Sequence, residues 1–175
     1  MRAALTQKVK KTRSVVLCGL GGFGKSRLAM YYKEQYGYEY SHFLWINAAT
    51  YENALKSFRA AAESIFHLKM GNSSASGFPE GESEDCIFTV KRFLAEESNP
   101  AWLFVLDGID DLDGYQPRNF LPSCAHGTII VTTTRSELAT AWGMPTVYIG
   151  SLDDVAGSQI LLRNMSEDNR SDDSE

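Results

Sequence analysis

The chain of 175 residues contains few of the residues that usually cross-link small folds or bind metals. It contains only three cysteines, which lie far apart at Cys18, Cys86 and Cys124 and form no CxxC pair. An odd number at such spacing is atypical of a disulfide framework or a zinc site. The three histidines also show no metal-ligand spacing. The scarcity of these residues predicts a reducing, intracellular setting and a fold that depends on an apolar core.

Long apolar runs are also missing. No run approaches the roughly 18 residues that a membrane-spanning helix needs, and the N-terminus lacks the apolar segment of a secretion signal. The sequence therefore predicts a cytoplasmic protein that does not enter a membrane.

Charge is unevenly distributed along the chain. The first thirteen residues, "MRAALTQKVKKTR", hold five basic side chains and no acid, whereas the last ten, "SEDNRSDDSE", hold five acids and one base and no apolar residue. We predict a basic lead-in at 1–13, one folded domain at 14–164 and a disordered acidic tail at 165–175. Because basic residues do not cluster beyond the lead-in, no nucleic-acid partner is expected.

Five short apolar, β-rich runs alternate with helical patterns. The predicted strands are 14–18, 42–48, 101–107, 127–134 and 146–150, and the predicted helices are 25–36, 52–68, 85–97, 136–143 and 153–164. A Gly/Ser/Pro-rich segment at 70–84 is typical of a mobile loop. Near-continuous apolar strands between helices predict an α/β fold, with a five-stranded parallel sheet in a three-layer α/β/α sandwich.

The segment "GLGGFGKS" lies between the first strand and the first helix and matches the phosphate loop G-x-x-x-x-G-K-[ST]. Glycines let backbone N–H groups approach phosphates, the lysine adds a positive charge, and the serine hydroxyl can bind Mg²⁺. This motif predicts a P-loop NTPase that binds a nucleotide with Mg²⁺. The expected nucleotide contacts are Gly19, Gly21, Gly22, Phe23, Gly24, Lys25, Ser26 and Arg27.

Acids follow the third strand in "WLFVLDGIDD". Asp107 ends the apolar run and is expected to hold the metal together with Ser26. The acids after it, Asp110 and Asp111, are either further site residues or turn residues, and Asp113 is interpreted as a turn residue.

An arginine follows the fourth strand in "GTIIVTTTRS". The carboxyl ends of parallel strands face the ligand crevice, so Arg135 is expected to contact the terminal phosphate of ATP and to lose that contact with ADP. The alternative is a surface arginine paired with Glu137 or a loop acid. The threonines 132–134 are interpreted as β-favouring residues only.

These motifs, together with "FLWINA" and "LDDVAGSQILL", resemble in order and spacing the NB-ARC family, the nucleotide-binding domains of STAND ATPases. Its members include plant resistance proteins, apoptosis regulators and fungal NOD-like receptors, and the fungal members are the most similar. The resemblance implies the strand order 5-1-4-3-2, a resting state with ADP and an active state with ATP. It also implies a role in innate-immune signal transduction, with an effector domain and C-terminal repeats on a longer chain that self-oligomerises on activation.

The family often has a second acid directly after the metal-binding acid, and here that residue is Gly108. A general base must lie within about 3 Å of the water it activates, so we expect at most slow ATP hydrolysis. If hydrolysis occurs, the expected catalytic residues are Asp107, Asp110 and Arg135. The alternatives are a small P-loop enzyme, such as an NTPase or a small-molecule kinase, and a nucleotide-free interaction domain.

Overall fold

The computed structural model describes residues 12–70, 83–110 and 115–150. The strands are β1 (Arg13–Cys18), β2 (His42–Asn47), β3 (Trp102–Asp107), β4 (Thr128–Thr133) and β5 (Thr146–Tyr148). The α-helices are α1 (Lys25–Tyr36), α2 (Tyr51–Met70), α3 (Ser83–Ala95) and α4 (Ser136–Trp142). Two short 3-10 turns, Gly37–Glu39 and Pro117–Phe120, complete these elements.

The five strands form one parallel sheet in the order β2-β3-β4-β1-β5. This arrangement confirms the predicted fold class and the strand order 5-1-4-3-2. β1 lies between β4 and β5, so the loop that follows β1 emerges near the middle of the carboxyl edge of the sheet.

Helices cover both faces of the sheet because the central strands are apolar on both sides. On one face the core contains Ala29 and Tyr32 of α1 with Val15, Leu17, Leu103, Val105 and Ile130. On the other face it contains side chains from α2, α3 and α4, among them Phe58, Leu94 and Ala139, with Val16, Ile46, Phe104, Leu106 and Val131. The α1 helix therefore lies in one layer with the phosphate loop before it, and the other three described helices lie in the opposite layer.

Trp102, the first residue of β3, packs at the amino end of the central strands. It is fully buried, and its Nε1 donates a hydrogen bond of 2.7 Å to the backbone oxygen of Leu94. Gly127, directly before β4, has a φ of +83°, and a Cβ built there would lie 2.2–2.4 Å from the indole ring. This glycine is therefore required by both its backbone conformation and the closeness of Trp102.

The element boundaries differ from the predicted ones by a few residues. β1 begins at Arg13, which was predicted to belong to the lead-in, because its N–H donates to Gly127 O and backbone pairing extends the strand beyond its apolar part. The third helix ends at Ala95 and not at 97, because the Asn99 side chain donates to the Phe93 oxygen near the helix end. Neither of the two 3-10 turns was predicted.

Several predicted segments lie outside the described residues. These are most of the lead-in at 1–13, most of the loop at 70–84, the helix at 153–164 and the tail at 165–175. Within the described ranges, no helix is both long and apolar enough to cross a membrane.

Candidate nucleotide site

The loop between β1 and α1 has the open backbone that its glycines predict. Gly22 and Gly24 both have a φ of +81°, a conformation that side chains with a Cβ rarely adopt. A Cβ built at Gly21, Gly22 or Gly24 would meet no atom within 4 Å. Residues 20–24 are exposed, so among the described residues nothing covers this part of the loop.

The start of the loop is held from both neighbouring strands. The Gly19 N–H donates to Thr133 O at 3.2 Å, and the Ile149 N–H donates to Cys18 O at 2.7 Å. A Cβ built at Gly19 would lie 2.2 Å from Ile149 O, so only glycine fits there. The first phosphate-loop glycine thus serves close packing at the base of the loop.

Lys25 curves back over the loop that precedes it. Only 8% of this residue is exposed, and its Nζ donates to the backbone oxygens of Gly19 at 2.7 Å and Leu20 at 2.9 Å. The lysine therefore connects the end of the loop to its beginning, and its positive charge lies beside the loop that would bind an anion.

Among the described residues, no acid or capping side chain competes for the N-terminus of α1. No side chain caps it, its first turn contains no acid, and the Leu28 N–H donates to Gly24 O at 2.8 Å. The first N–H groups of a helix and its dipole favour an anion. Arg27 instead reaches along α1, with its guanidinium 3.7 Å from the Glu34 carboxylate and 75% of its side chain exposed.

Two predicted metal-binding residues meet across the sheet edge. The Ser26 hydroxyl donates to Asp107 Oδ1 at 2.7 Å, although the two residues lie far apart in sequence. The hydroxyl of Thr132, on the neighbouring strand, donates to the same oxygen at 2.6 Å. A serine hydroxyl beside a carboxylate is the kind of oxygen donor set that suits Mg²⁺, which usually binds few protein groups and keeps several waters.

Gly108 has a structural reason to be glycine. Its φ is +79°, and its N–H donates to Thr132 Oγ1 at 2.8 Å. Glycine adopts this φ more readily than a residue with a Cβ, and a Cβ built here would meet only ordinary contacts with Ala49, at 3.7 Å or more. The position where an efficient site has a second acid therefore holds a glycine in a turn that glycine favours.

Asp110 and Arg135 lie together where the loops after β3 and β4 meet. Asp110 Oδ1 accepts hydrogen bonds from the Thr134 N–H at 2.6 Å and from the Thr134 hydroxyl at 2.9 Å. The Arg135 Nε–H donates to the backbone oxygen of Asp110 at 2.6 Å. Asp110 and Arg135 therefore join the two loops through hydrogen bonds.

The alternative interpretation of Arg135 was a surface arginine paired with Glu137 or a loop acid. In the structure, its side chain instead donates to the backbone oxygen of Asp110. Among the described residues Arg135 forms no ion pair. The pKa of the Glu137 carboxyl is nevertheless lowered, first by a hydrogen bond from its own backbone N–H and, least of all, by the positive charge of Arg135. Asp111 and Asp113 lie outside the described residues.

The threonines at the end of β4 do more than favour a strand, so the sequence interpretation of them was wrong. Thr132 bonds Asp107, Thr133 donates to Ile109 O at 2.5 Å, and Thr134 bonds Asp110. The signal that could have found them is their position: β4 neighbours β3 in the sheet, so polar residues at its carboxyl end face the acids after β3.

Cys18 lies directly behind the loop at the end of β1. Burial raises the pKa of its thiol, and the nearby Lys25 charge opposes this rise. The thiol is thus kept protonated and acts as a small apolar side chain under the loop.

Comparison with known proteins identifies the fold. No protein-family model matches the sequence, and no curated protein matches it either. The crystal structure of Cdc6p from Pyrobaculum aerophilum is similar, with a TM-score of 0.58 and 13% identity over 92% of this chain and 45% of that chain. A DNA replication initiation factor has a TM-score of 0.48 and 18% identity over 89% of this chain and 45% of that chain.

The chain therefore spans less than half the length of the two structures it matches. At such identities the likeness concerns the fold alone. Together with the strand order and the loop between β1 and α1, it defines the chain as a domain with the P-loop NTPase fold.

Proposed function

We propose that this domain binds ADP and ATP together with Mg²⁺ and works as a nucleotide-dependent switch. The observation that carries this proposal is the meeting of Ser26 and Asp107, 2.7 Å apart, beside a glycine loop that encloses the Lys25 ammonium group. A positive charge, an open ring of backbone and a pair of hard oxygen ligands are the three features that a magnesium nucleotide requires.

The residues present fit such a ligand. The exposed backbone from Gly21 to Gly24 and the N-terminus of α1 would bind the phosphates, and Lys25 would exchange its two carbonyl contacts for phosphate oxygens. Ser26 would bind Mg²⁺ directly, and Asp107 would hold it directly or through water. The metal would neutralise part of the phosphate charge.

The switch function depends on Arg135. Its Nε–H is anchored to Asp110 O, and its terminal guanidinium nitrogens form no hydrogen bond with described residues. Those nitrogens can contact a terminal phosphate that ATP has and ADP lacks. A contact made with only one nucleotide gives the two complexes different stabilities, which is what a conformational switch needs.

The finer assignment rests on the sequence motifs that resemble the NB-ARC family. It makes the domain the ADP-bound resting module of a cytoplasmic NOD-like receptor, in which an effector domain, repeats and self-oligomerisation belong to a longer chain. The glycine at 108, where an efficient site has a second acid, supports at most slow hydrolysis. A true small-molecule kinase or NTPase would be recognised by rapid turnover.

The test is a calorimetric and thermal-unfolding titration of the chain with ADP and ATP, with Mg²⁺ and with EDTA. The Lys25→Ala variant removes the ammonium group, and Lys33→Ala removes another lysine of α1 whose Nζ lies 5.5 Å from the centre of the Phe43 ring. Each charged hydrogen bond contributes about 1.5–3 kcal/mol, so Lys25→Ala should weaken binding by about 100-fold or more. Binding at 100 times the Kd should raise the stability by about 2.7 kcal/mol in the wild type.

Lys33→Ala should bind nucleotide as the wild type does. Nucleotide affinity that survives Lys25→Ala unchanged would exclude the phosphate-loop assignment. A wild type that responds to neither nucleotide would identify the domain as one that keeps the fold without the ligand.

A further inference from the structure

We propose that Thr132 is a positioning residue that fixes the Asp107 carboxylate for the metal. The inference rests on the proposed function, because it concerns the same magnesium nucleotide. Thr132 is fully buried on β4, and its hydroxyl lies between the metal-binding acid and the turn that follows it.

The direction of both hydrogen bonds of this hydroxyl is determined by its partners. The Gly108 N–H can only donate, so Thr132 Oγ1 accepts that bond at 2.8 Å. The hydroxyl proton is then free to point at Asp107 Oδ1, 2.6 Å away. Because the threonine is buried, water cannot readily replace the hydroxyl if it is removed.

Of the two carboxylate oxygens of Asp107, only Oδ1 accepts hydrogen bonds from the described side chains. Ser26 also donates to Oδ1, so both hydrogen bonds that the Asp107 side chain accepts from described residues go to this one oxygen. The other oxygen, Oδ2, accepts no hydrogen bond from the described residues and is therefore available to a metal. If Ser26 Oγ engages the metal, Thr132 is the contact that keeps the carboxylate in place.

The same strand offers a matched control. Thr128 is also fully buried on β4, but its hydroxyl has no hydrogen-bond partner among the described residues. Replacing either threonine by valine changes the same atoms at a fully buried position of the same strand. Only the variant at Thr132 removes a contact to the metal-binding acid.

The experiment measures the ADP affinity of the wild type, Thr132→Val, Thr132→Ser and Thr128→Val, each with Mg²⁺ and with EDTA. The ratio of the two affinities reports the contribution of the metal. Thr132→Val should reduce this ratio by about tenfold or more, the factor expected for one hydrogen bond to a charged group. The affinity in EDTA should change by no more than about twofold, because the phosphate contacts remain. Thr132→Ser should restore the ratio, and Thr128→Val should leave it unchanged.

If Thr132→Val fails to fold, Thr132→Ala and Thr132→Ser form the decisive pair, since they differ only in the hydroxyl. If the ratio of the ADP affinity with Mg²⁺ to that with EDTA is the same with and without the hydroxyl, the inference is refuted and the proposed function stays intact. A wild type that binds no ADP would refute the proposed function, and the inference with it. An equal loss of affinity with Mg²⁺ and with EDTA would show a merely structural role and would also overturn it.

Discussion

Asp110 is the residue for which the sequence and the structure suggest different roles, and two substitutions can separate them. As a catalytic base it would need its negative charge to orient the attacking water. In the structure its Oδ1 instead accepts two hydrogen bonds from Thr134, and its backbone oxygen accepts one from Arg135. Asp110→Asn removes the charge and keeps an oxygen acceptor, whereas Asp110→Ala removes both.

The structure sets the expected size of each effect. Asp110 is exposed, so its two side-chain hydrogen bonds should contribute toward the lower end of the usual range, together about 1–2 kcal/mol. For a chain of this size, Asp110→Ala should lower the Tm by roughly 2–8 °C, and Asp110→Asn by about half of that or less. Loss of a general base, by contrast, would slow hydrolysis by about 10²–10⁴-fold in both variants.

The assay combines thermal unfolding with single-turnover hydrolysis of ATP in the wild type and both variants. Glu34→Ala, which removes an exposed ion pair with Arg27, serves as the control and should change stability by less than about 1 kcal/mol. We expect Asp110→Asn to lose at most about half as much stability as Asp110→Ala and to keep whatever hydrolysis the wild type has. Stability that is unaffected by Asp110→Ala, or hydrolysis lost in Asp110→Asn, would refute the loop-joining role and favour the catalytic one.

Two further predictions follow from the site and from the base of the sheet. Arg135→Ala should weaken the binding of ATP about tenfold more than the binding of ADP, because one charged contact to the terminal phosphate is lost. Equal losses of affinity in calorimetry would mean that this arginine does not distinguish the two nucleotides. Gly127→Ala should destabilise the fold by about 2–5 kcal/mol, because the positive φ costs about 1–2 kcal/mol and the overlap with Trp102 about 1–3 kcal/mol more. Gly143→Ala is the control, because Gly143 has a φ of +62° and no atom lies within 4 Å of a Cβ built there. This variant should lose only about 1–2 kcal/mol, which is the cost of the positive φ. Equal denaturation midpoints for the two variants would contradict the close packing at Trp102.

The fold was predictable because its signals are local. Apolar runs such as the one at 14–18 indicated buried parallel strands, and the glycine cluster before Lys25 indicated the turn between strand and helix. Both signals lie within one short segment, so they can be recognised without knowing which strands are neighbours. The helix α1 accordingly has the predicted bounds, 25–36.

The finer parts of the site could not be predicted because they join strands that are distant in sequence. Thr132 acquires its role only when β4 lies beside β3, which brings its hydroxyl within 2.6 Å of Asp107. The glycine at 108 was interpreted as the absence of an acid, and the structure adds that it has a positive φ, which glycine adopts readily. Single-sequence patterns report a residue's neighbours along the chain, and these contacts depend on neighbours across the sheet.

The position of β1 between β4 and β5 has a consequence for how the protein is made. Arg13 of β1 pairs with Thr128, and Val16 pairs with Thr146, so the first strand has no partner until nearly the whole domain has been synthesised. Pairing of this kind has a high contact order and is expected to fold slowly. We therefore expect the ribosome-bound chain to gain its phosphate loop last, and nucleotide to be unable to assist folding until β4 has emerged from the exit tunnel.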